Sequence, residues 1–173
     1  MKASGIRLFE MAVLGAVMIA CAGLVYPVVK SERMREDRAV ANEQCRLIAV
    51  ALNLYLKDRT GEKYPVDPVS RKALDWLKGP GKFPANNPFG NDDSHGRLCQ
   101  VLKVKDPNMP GWNGPYLENV EPDPWGHAYL VNTGGYHNSR ERVWILSAGP
   151  NGIVETPLQS SALRGDDIGR ILR

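Results

Sequence analysis

The chain has 173 residues, of which 43% are hydrophobic, 24% charged and only 8% aromatic. That length fits one ordinary domain with an appendage and leaves too little for two full domains. A net charge of +3 argues against the concentrated basic face that nucleic-acid binding demands, and a mean hydropathy of −0.33 excludes a polytopic membrane protein while leaving room for one span.

The span comes first in the chain. Leu8 to Val29 reads LFEMAVLGAVMIACAGLVYPVV, and Glu10 is its only charged residue. As a helix it would be roughly 33 Å long at about 1.5 Å per residue, enough to cross a bilayer. A cleaved secretory signal would have a shorter apolar core and a small-x-small site on its far side. Here the far side is Tyr26-Pro27-Val28-Val29-Lys30, so the span is expected to stay on the protein. Glu10 needs an explanation, because an unpaired carboxylate within hydrocarbon costs at least ~3 kcal/mol. Just upstream, Met1-Lys2-Ala3-Ser4-Gly5 is a short, positively charged leader ending in glycine. Cleavage between Gly5 and Ile6 would make Ile6 the amino terminus and Glu10 the fifth residue after the cut. The new ammonium and the carboxylate would then neutralise each other, more easily between neighbouring subunits than within one helix.

This arrangement resembles the class III signal of type IV pilins and pseudopilins: leader glycine, apolar residue, glutamate at the fifth position, then an apolar helix. Pro27 falls where that family commonly carries a helix-kinking proline. Arg7 departs from the pattern, since the family has an uncharged residue there. The resemblance implies a prepilin peptidase as processing partner and methylation of the new amino terminus. The plainer alternative is a signal anchor with a stray glutamate.

Beyond the span, Ser31 to Asp37 (SERMRED) carries mixed charge at spacings that suit a solvated helix face. Apolar periodicity resumes at Ala41, Cys45, Ile48, Leu52 and Tyr55, a 4-3-4-3 stripe marking one helix face. With no breaker between Val28 and Lys57, one long helix is predicted to leave the membrane and pack its second half on a globular head, with Gly61 as its stop. Asp67-Pro68 reads as an N-cap with proline at the first helical position, opening a short helix through Leu74 and Leu77 to Gly79. Gly79 to Pro115 is rich in turn residues and reads as an irregular excursion with one short strand at Leu98 to Val104. His127 to Thr133 and Arg142 to Ser147 alternate in hydropathy around a Gly-Gly turn and read as a β-hairpin. The tail from Gly149 to Arg173 reads as polar loop.

Four segments of the head sharpen the resemblance. Gly114–Leu117 (GPYL), Asp123-Pro124-Trp125-Gly126 leading into a strand, the turn Ser147-x-Gly-x-Asn-Gly, and Asp166-Asp167-Ile168-Gly169 occur in that order. Together with ALNLYLKDRTGEKYP at Ala51–Pro65 they are similar to the major pseudopilin of the type II secretion system. The stretch from Gly79 to Met109 is longer than that family's pattern.

The resemblance implies a calcium ion in the C-terminal loop. Its ligands would be the carbonyls of Ala148 and Ile153, the side chain of Asn151, and Asp166 with Asp167, with Ser160 or Ser161 standing for a family serine. These are hard oxygen donors of the kind Ca²⁺ takes six to eight of. Asn151 offers a neutral oxygen where the family usually has a carboxylate, and the connection from Glu155 to Gly165 is longer than usual. Spacing alone would make this a weak site, and a solvated acidic turn is the competing reading.

The remaining reactive residues read as structural. Cys45 and Cys99 are the pair available for a disulfide in an oxidising periplasm, while Cys21 lies within the span. His95 near Cys99 lacks the second pair that zinc requires. Trp112, Trp125 and Trp144 suit head packing. Glu121 and Asp123 mimic a catalytic acid pair without an accompanying nucleophile motif, and no G-x-S-x-G, P-loop, HExxH or CxxC is present.

The expectation is a non-enzymatic α+β protein. Its long N-terminal helix, membrane-spanning in its first half, packs on a small antiparallel sheet with a calcium-type loop. Residues 1–5 would be the prepilin leader, 6–30 the transmembrane and assembly helix, and 31–173 a periplasmic head on a single-pass inner-membrane anchor. The resemblance implies a helical homopolymer that drives protein export across the outer membrane. Its partners would be the minor pseudopilins and the inner-membrane assembly platform, with no nucleic acid. A minor pilin of a type IV pilus or DNA-uptake fibre, and a membrane-anchored binding module that does not polymerise, are the alternatives.

Overall fold

The computed structural model describes residues 3–61, 63–67, 70–90 and 98–173. It divides into two units, residues 1–37 and 38–173. A single helix, α1 (Ala3–Asp58), contributes its first part to one unit and its remainder to the other, with Pro27 inside it. Met1, Lys2 and His95 lie outside the described residues.

The first unit is the apolar stretch of α1 and the charged turns that follow. Met11, Leu14, Met18, Ile19 and Leu24 are 63–75% exposed. Glu10 is exposed as well. The helix is long and apolar enough to cross a membrane. In its polar continuation Glu32 and Arg35 pair at 3.1 Å, a helix-surface contact that adds a few tenths of a kcal/mol.

The second unit is the head, and it is α+β as the hydropathy pattern predicts. All five residues of the stripe, Ala41, Cys45, Ile48, Leu52 and Tyr55, are at most 2% exposed. They face a four-stranded antiparallel sheet formed by β1 (Trp76–Lys78), β2 (Leu130–Asn132), β3 (Trp144–Ser147) and β4 (Ile168–Ile171), ordered as in the sequence. The register places Leu77, Val131 and Ile145 side by side, and these three join Cys45, Ile48, Leu52 and Tyr55 of the stripe in one core cluster. Alternation sends Leu130, Trp144 and Leu146 to the opposite face, where they form a second cluster. The hairpin of β2 and β3 is as predicted, with a short 3-10 turn at Gly134–Tyr136 in its connection.

Three predicted elements are corrected. The helix expected from Asp67 to Gly79 is absent, and β1 stands in its second half. Ahead of it the chain doubles back: Val66 bridges Ala73, and Asp67 N–H donates to the Lys72 carbonyl at 2.9 Å. Leu74 and Leu77 have helical spacing, yet Trp76 between them is also buried, on the other sheet face, and only a period of two allows that. Pro68, half of the expected cap, lies outside the described residues. The strand expected at Leu98 to Val104 is a helix instead, α2 (Leu98–Lys103). Its buried residues Leu98, Val101 and Leu102 follow the i, i+3, i+4 pattern of a helix face. The tail is not all loop, because Ile168–Ile171 completes the sheet as β4. Gly169 permits that pairing, since a Cβ there would run into the Ile145 carbonyl oxygen.

The excursion has structure of its own. Residues 79–90 supply side chains to the sheet face opposite α1. The Phe89 ring stacks on Trp76 with centroids 5.2 Å apart and planes 7° from parallel, and it lies 5.7 Å from Trp144. Backbone bonds fix the segment, from Lys82 N–H to the Gly126 carbonyl at 3.0 Å and from Ala85 N–H to the Gly152 carbonyl at 2.8 Å. The sheet is thereby covered on both faces. Cys21, Cys45 and Cys99 are all free thiols, so the disulfide considered from sequence is not formed. Burial pushes the Cys45 thiol up to about 12, which keeps it protonated and unreactive at neutral pH.

Candidate functional site

Two regions carry the residues singled out in the sequence. Gly5 and Ile6 lie within the first turns of α1, with Glu10 exposed one turn beyond Ile6. The other region is the loop between β3 and β4.

That loop starts from a buried latch. Asp123, 3% exposed, accepts hydrogen bonds from the N–H groups of Trp125 at 3.1 Å and His127 at 2.7 Å through Oδ1, and from Ser147 Oγ at 2.5 Å through Oδ2. Ser147 Oγ in turn accepts the Gly149 N–H at 3.1 Å. An Asp-Pro sequence favours this local turn because the carboxylate can bond backbone N–H groups two and four residues on. Asp123 is therefore a structural clamp between the Asp-Pro-Trp-Gly turn and the end of β3. Glu121 is exposed and takes no part in it.

From Ser147 the chain passes Ala148, which is buried, and turns outward at Asn151 and Ile153, both exposed. The Asn151 side chain closes its own turn, its Oδ1 accepting the Ile153 N–H at 2.7 Å. The two acidic residues come back to meet this turn. Asp166 Oδ2 accepts the Asn151 N–H at 3.1 Å, and Asp167 Oδ2 accepts N–H groups from Glu155 at 3.0 Å and Thr156 at 2.8 Å. Asn151, Asp166 and Asp167, distant in sequence, are thus brought together. Ser160 faces its own turn, its hydroxyl donating to the Ala162 carbonyl at 2.6 Å.

One oxygen on each aspartate is left over. Asp166 Oδ1 and Asp167 Oδ1 are both buried without a hydrogen-bond partner. Burial pushes the Asp167 carboxyl up from its ordinary value, against the hydrogen bonds from Thr156 and Glu155 that pull it down. A buried carboxylate oxygen lacking a donor is costly, and a hard cation is one partner that would satisfy it. Among the described residues no three His, Cys, Asp or Glu side chains converge as a metal group. An ion here would need neutral oxygens beside the two aspartates, and Ala148, Asn151 and Ile153 carry oxygens of the kind that Ca²⁺ takes.

Residues 94–164 match the family model described as type II secretion system protein G. Over 165 residues the chain is 27% identical to the type II secretion system core protein G of Klebsiella pneumoniae, covering 95% of this chain and 91% of that relative. The chain is thus similar to protein G of the type II secretion system. No solved structure matches it. The segment that matches the family model runs from before α2 through the Asp123 latch and into the long connection after Glu155. Sequence reasoning missed two residues of the region. Asp123 was readable as an acid but not as the acceptor of three donors. Glu155, which binds both limbs of the loop, carried no motif at all.

Proposed function

We propose that the chain is a structural subunit of the type II secretion pseudopilus, polymerising through its N-terminal helix to drive protein export across the outer membrane. One observation carries this reading: α1 exposes a long apolar face, with Met11 at 71%, Ile19 at 75% and Leu24 at 74%, next to a single carboxylate, Glu10. Such a surface does not stay open to water. Lipid covers it in the inner membrane, and neighbouring copies of the same helix cover it in a fibre. In this reading a prepilin peptidase removes Met1–Gly5, Ile6 becomes a methylated amino terminus, and residues 31–173 face the periplasm. Minor pseudopilins and an inner-membrane assembly platform complete the partners. The work is mechanical, with no covalent step on a substrate. Intact mass of the membrane-extracted protein tests it: the expected mass lacks Met1–Gly5 and carries one extra methyl group, and retention of Met1 overturns the reading.

We further assign one calcium ion to the loop, held by Asp166, Asp167, Asn151 and the carbonyls of Ala148 and Ile153. The two buried, unpartnered aspartate oxygens support it. Bound calcium would supply the positive charge that this acidic turn lacks. An ion that binds only the folded chain at about 100 times its Kd contributes ~2.7 kcal/mol, a rise of roughly 5–10 °C in Tm for a domain of this size. Asp166→Ala and Asp167→Ala are each expected to abolish most of that rise in the detergent-solubilised chain, and magnesium is expected to give less of it. A Tm indifferent to calcium and to chelator would withdraw the ion.

A further inference from the structure

We infer that Glu155 is a positioning residue of this cation loop, holding its two limbs together and supplying the third negative charge beside Asp166 and Asp167; the inference rests on the calcium reading above. Glu155 addresses every acidic or amide ligand proposed there. Its Oε2 accepts the Asp166 N–H at 3.0 Å and lies 3.3 Å from Asn151 Nδ2, while its own N–H donates to Asp167 Oδ2 at 3.0 Å. One residue thus ties the outgoing turn at 151 to the returning chain at 166 and 167, just ahead of β4. Gly165 makes room for it: with φ at +59°, a Cβ at that position would collide with Glu155 Oε2.

Hydrophobic burial does not hold Glu155 there, because the residue is exposed. Like charges close together oppose the arrangement. Among the described residues no Lys or Arg is ion-paired to Glu155, Asp166 or Asp167. Three carboxylates close together without a paired basic side chain favour a cation that balances them. Glu155 stands one step removed from that cation, since no three carboxylates converge as direct ligands. Groups in this outer position orient the direct ligands and tune affinity. The charge also answers the composition of the loop: Asn151 brings a neutral oxygen, and its amide turns toward Glu155.

Calorimetric titration of the detergent-solubilised full chain with calcium chloride tests this. Glu155→Gln keeps an oxygen able to accept the Asp166 N–H and removes only the charge, so calcium should bind ~10-fold more weakly. The calcium-free Tm should stay close to that of the unaltered chain. Adding Asn151→Asp to the Gln variant returns the missing charge four residues away and should recover most of the lost affinity. Glu155→Asp, which keeps the charge, should stay closer to the unaltered chain than the Gln variant does. Unchanged affinity in Glu155→Gln overturns the inference. So does a loss that Asn151→Asp leaves in place, which marks a purely structural contact. Absence of calcium binding by the unaltered chain is a separate result: it removes the calcium reading, and the inference with it, before any variant is compared.

Discussion

Glu10→Ala is expected to insert into the membrane as well as the unaltered chain does and to form almost no fibre. Insertion should persist because the substitution removes the one charge from an apolar window whose neighbours Met11 and Leu14 are 71% and 63% exposed. The head should fold normally, because no residue of its two core clusters precedes Cys45. Assembly is different. If the Ile6 ammonium of one subunit meets the Glu10 carboxylate of the next inside hydrocarbon, losing the carboxylate leaves a cation unpaired at a cost of at least ~3 kcal/mol. That corresponds to more than ~100-fold in each subunit's association. Shearing fibres from cells and comparing them with the membrane fraction measures both outcomes together. Normal fibre yield from Glu10→Ala would show that the carboxylate is not the partner of the new amino terminus.

The parts of the fold legible in the sequence were those written as periodicity. Ala41, Cys45, Ile48, Leu52 and Tyr55 repeat at helical spacing because each must reach the same sheet, and each is buried. The hairpin of β2 and β3 alternates for the same reason, with Val131 and Ile145 toward α1 and Leu130 and Leu146 away from it. Elements of three or four residues carry too few repeats to declare themselves. Leu74 and Leu77 fit a helix face as well as they fit the chain before and within β1, and only long-range pairing with β2 settles which. In β4, Gly169 is chosen by close approach to Ile145 and Arg170 is exposed, so the strand has little apolar signature. The aromatic residues of the excursion are equally silent, because Phe89 stacks on Trp76 and Phe83 lies tilted against it, rather than either packing on neighbours in sequence.

The candidate site divides along the same line. Resemblance marks Asp166 and Asp167; in the fold Asp166 accepts the Asn151 N–H, while Asp167 accepts those of Glu155 and Thr156. Asp123 and Glu155 act by accepting backbone N–H groups, and hydropathy does not register that role. A carboxylate that clamps a turn and one that sits free in solvent have the same letter and the same flanking residues. Geometry alone separates the two.

Asp123→Ala should therefore be among the most damaging single changes in the head, although Asp123 touches no proposed ligand or partner. The carboxylate is 3% exposed and satisfies three donors, the N–H groups of Trp125 and His127 and the hydroxyl of Ser147. Truncation leaves all three without their acceptor in a site closed to water, each at a cost of roughly 1–3 kcal/mol. Partial relaxation of the turn should limit the sum to about 4 kcal/mol, still a large share of the ~5–15 kcal/mol that holds a domain folded. The effect should spread to the ion loop, because Ser147 Oγ also accepts the Gly149 N–H at its entrance. Asp123→Asn separates geometry from bulk. Its Oδ1 can keep both backbone donors, and its amide can donate to Ser147 Oγ in place of the bond it received, so the cost should fall to about 1 kcal/mol. Urea unfolding of the detergent-solubilised chain, followed by tryptophan fluorescence from the buried Trp144, reads the difference. If Asp123→Ala unfolds at the same urea concentration as Asp123→Asn, the buried acceptor is not what holds this corner of the head together, and the Pro124–Gly126 backbone must close the turn unaided.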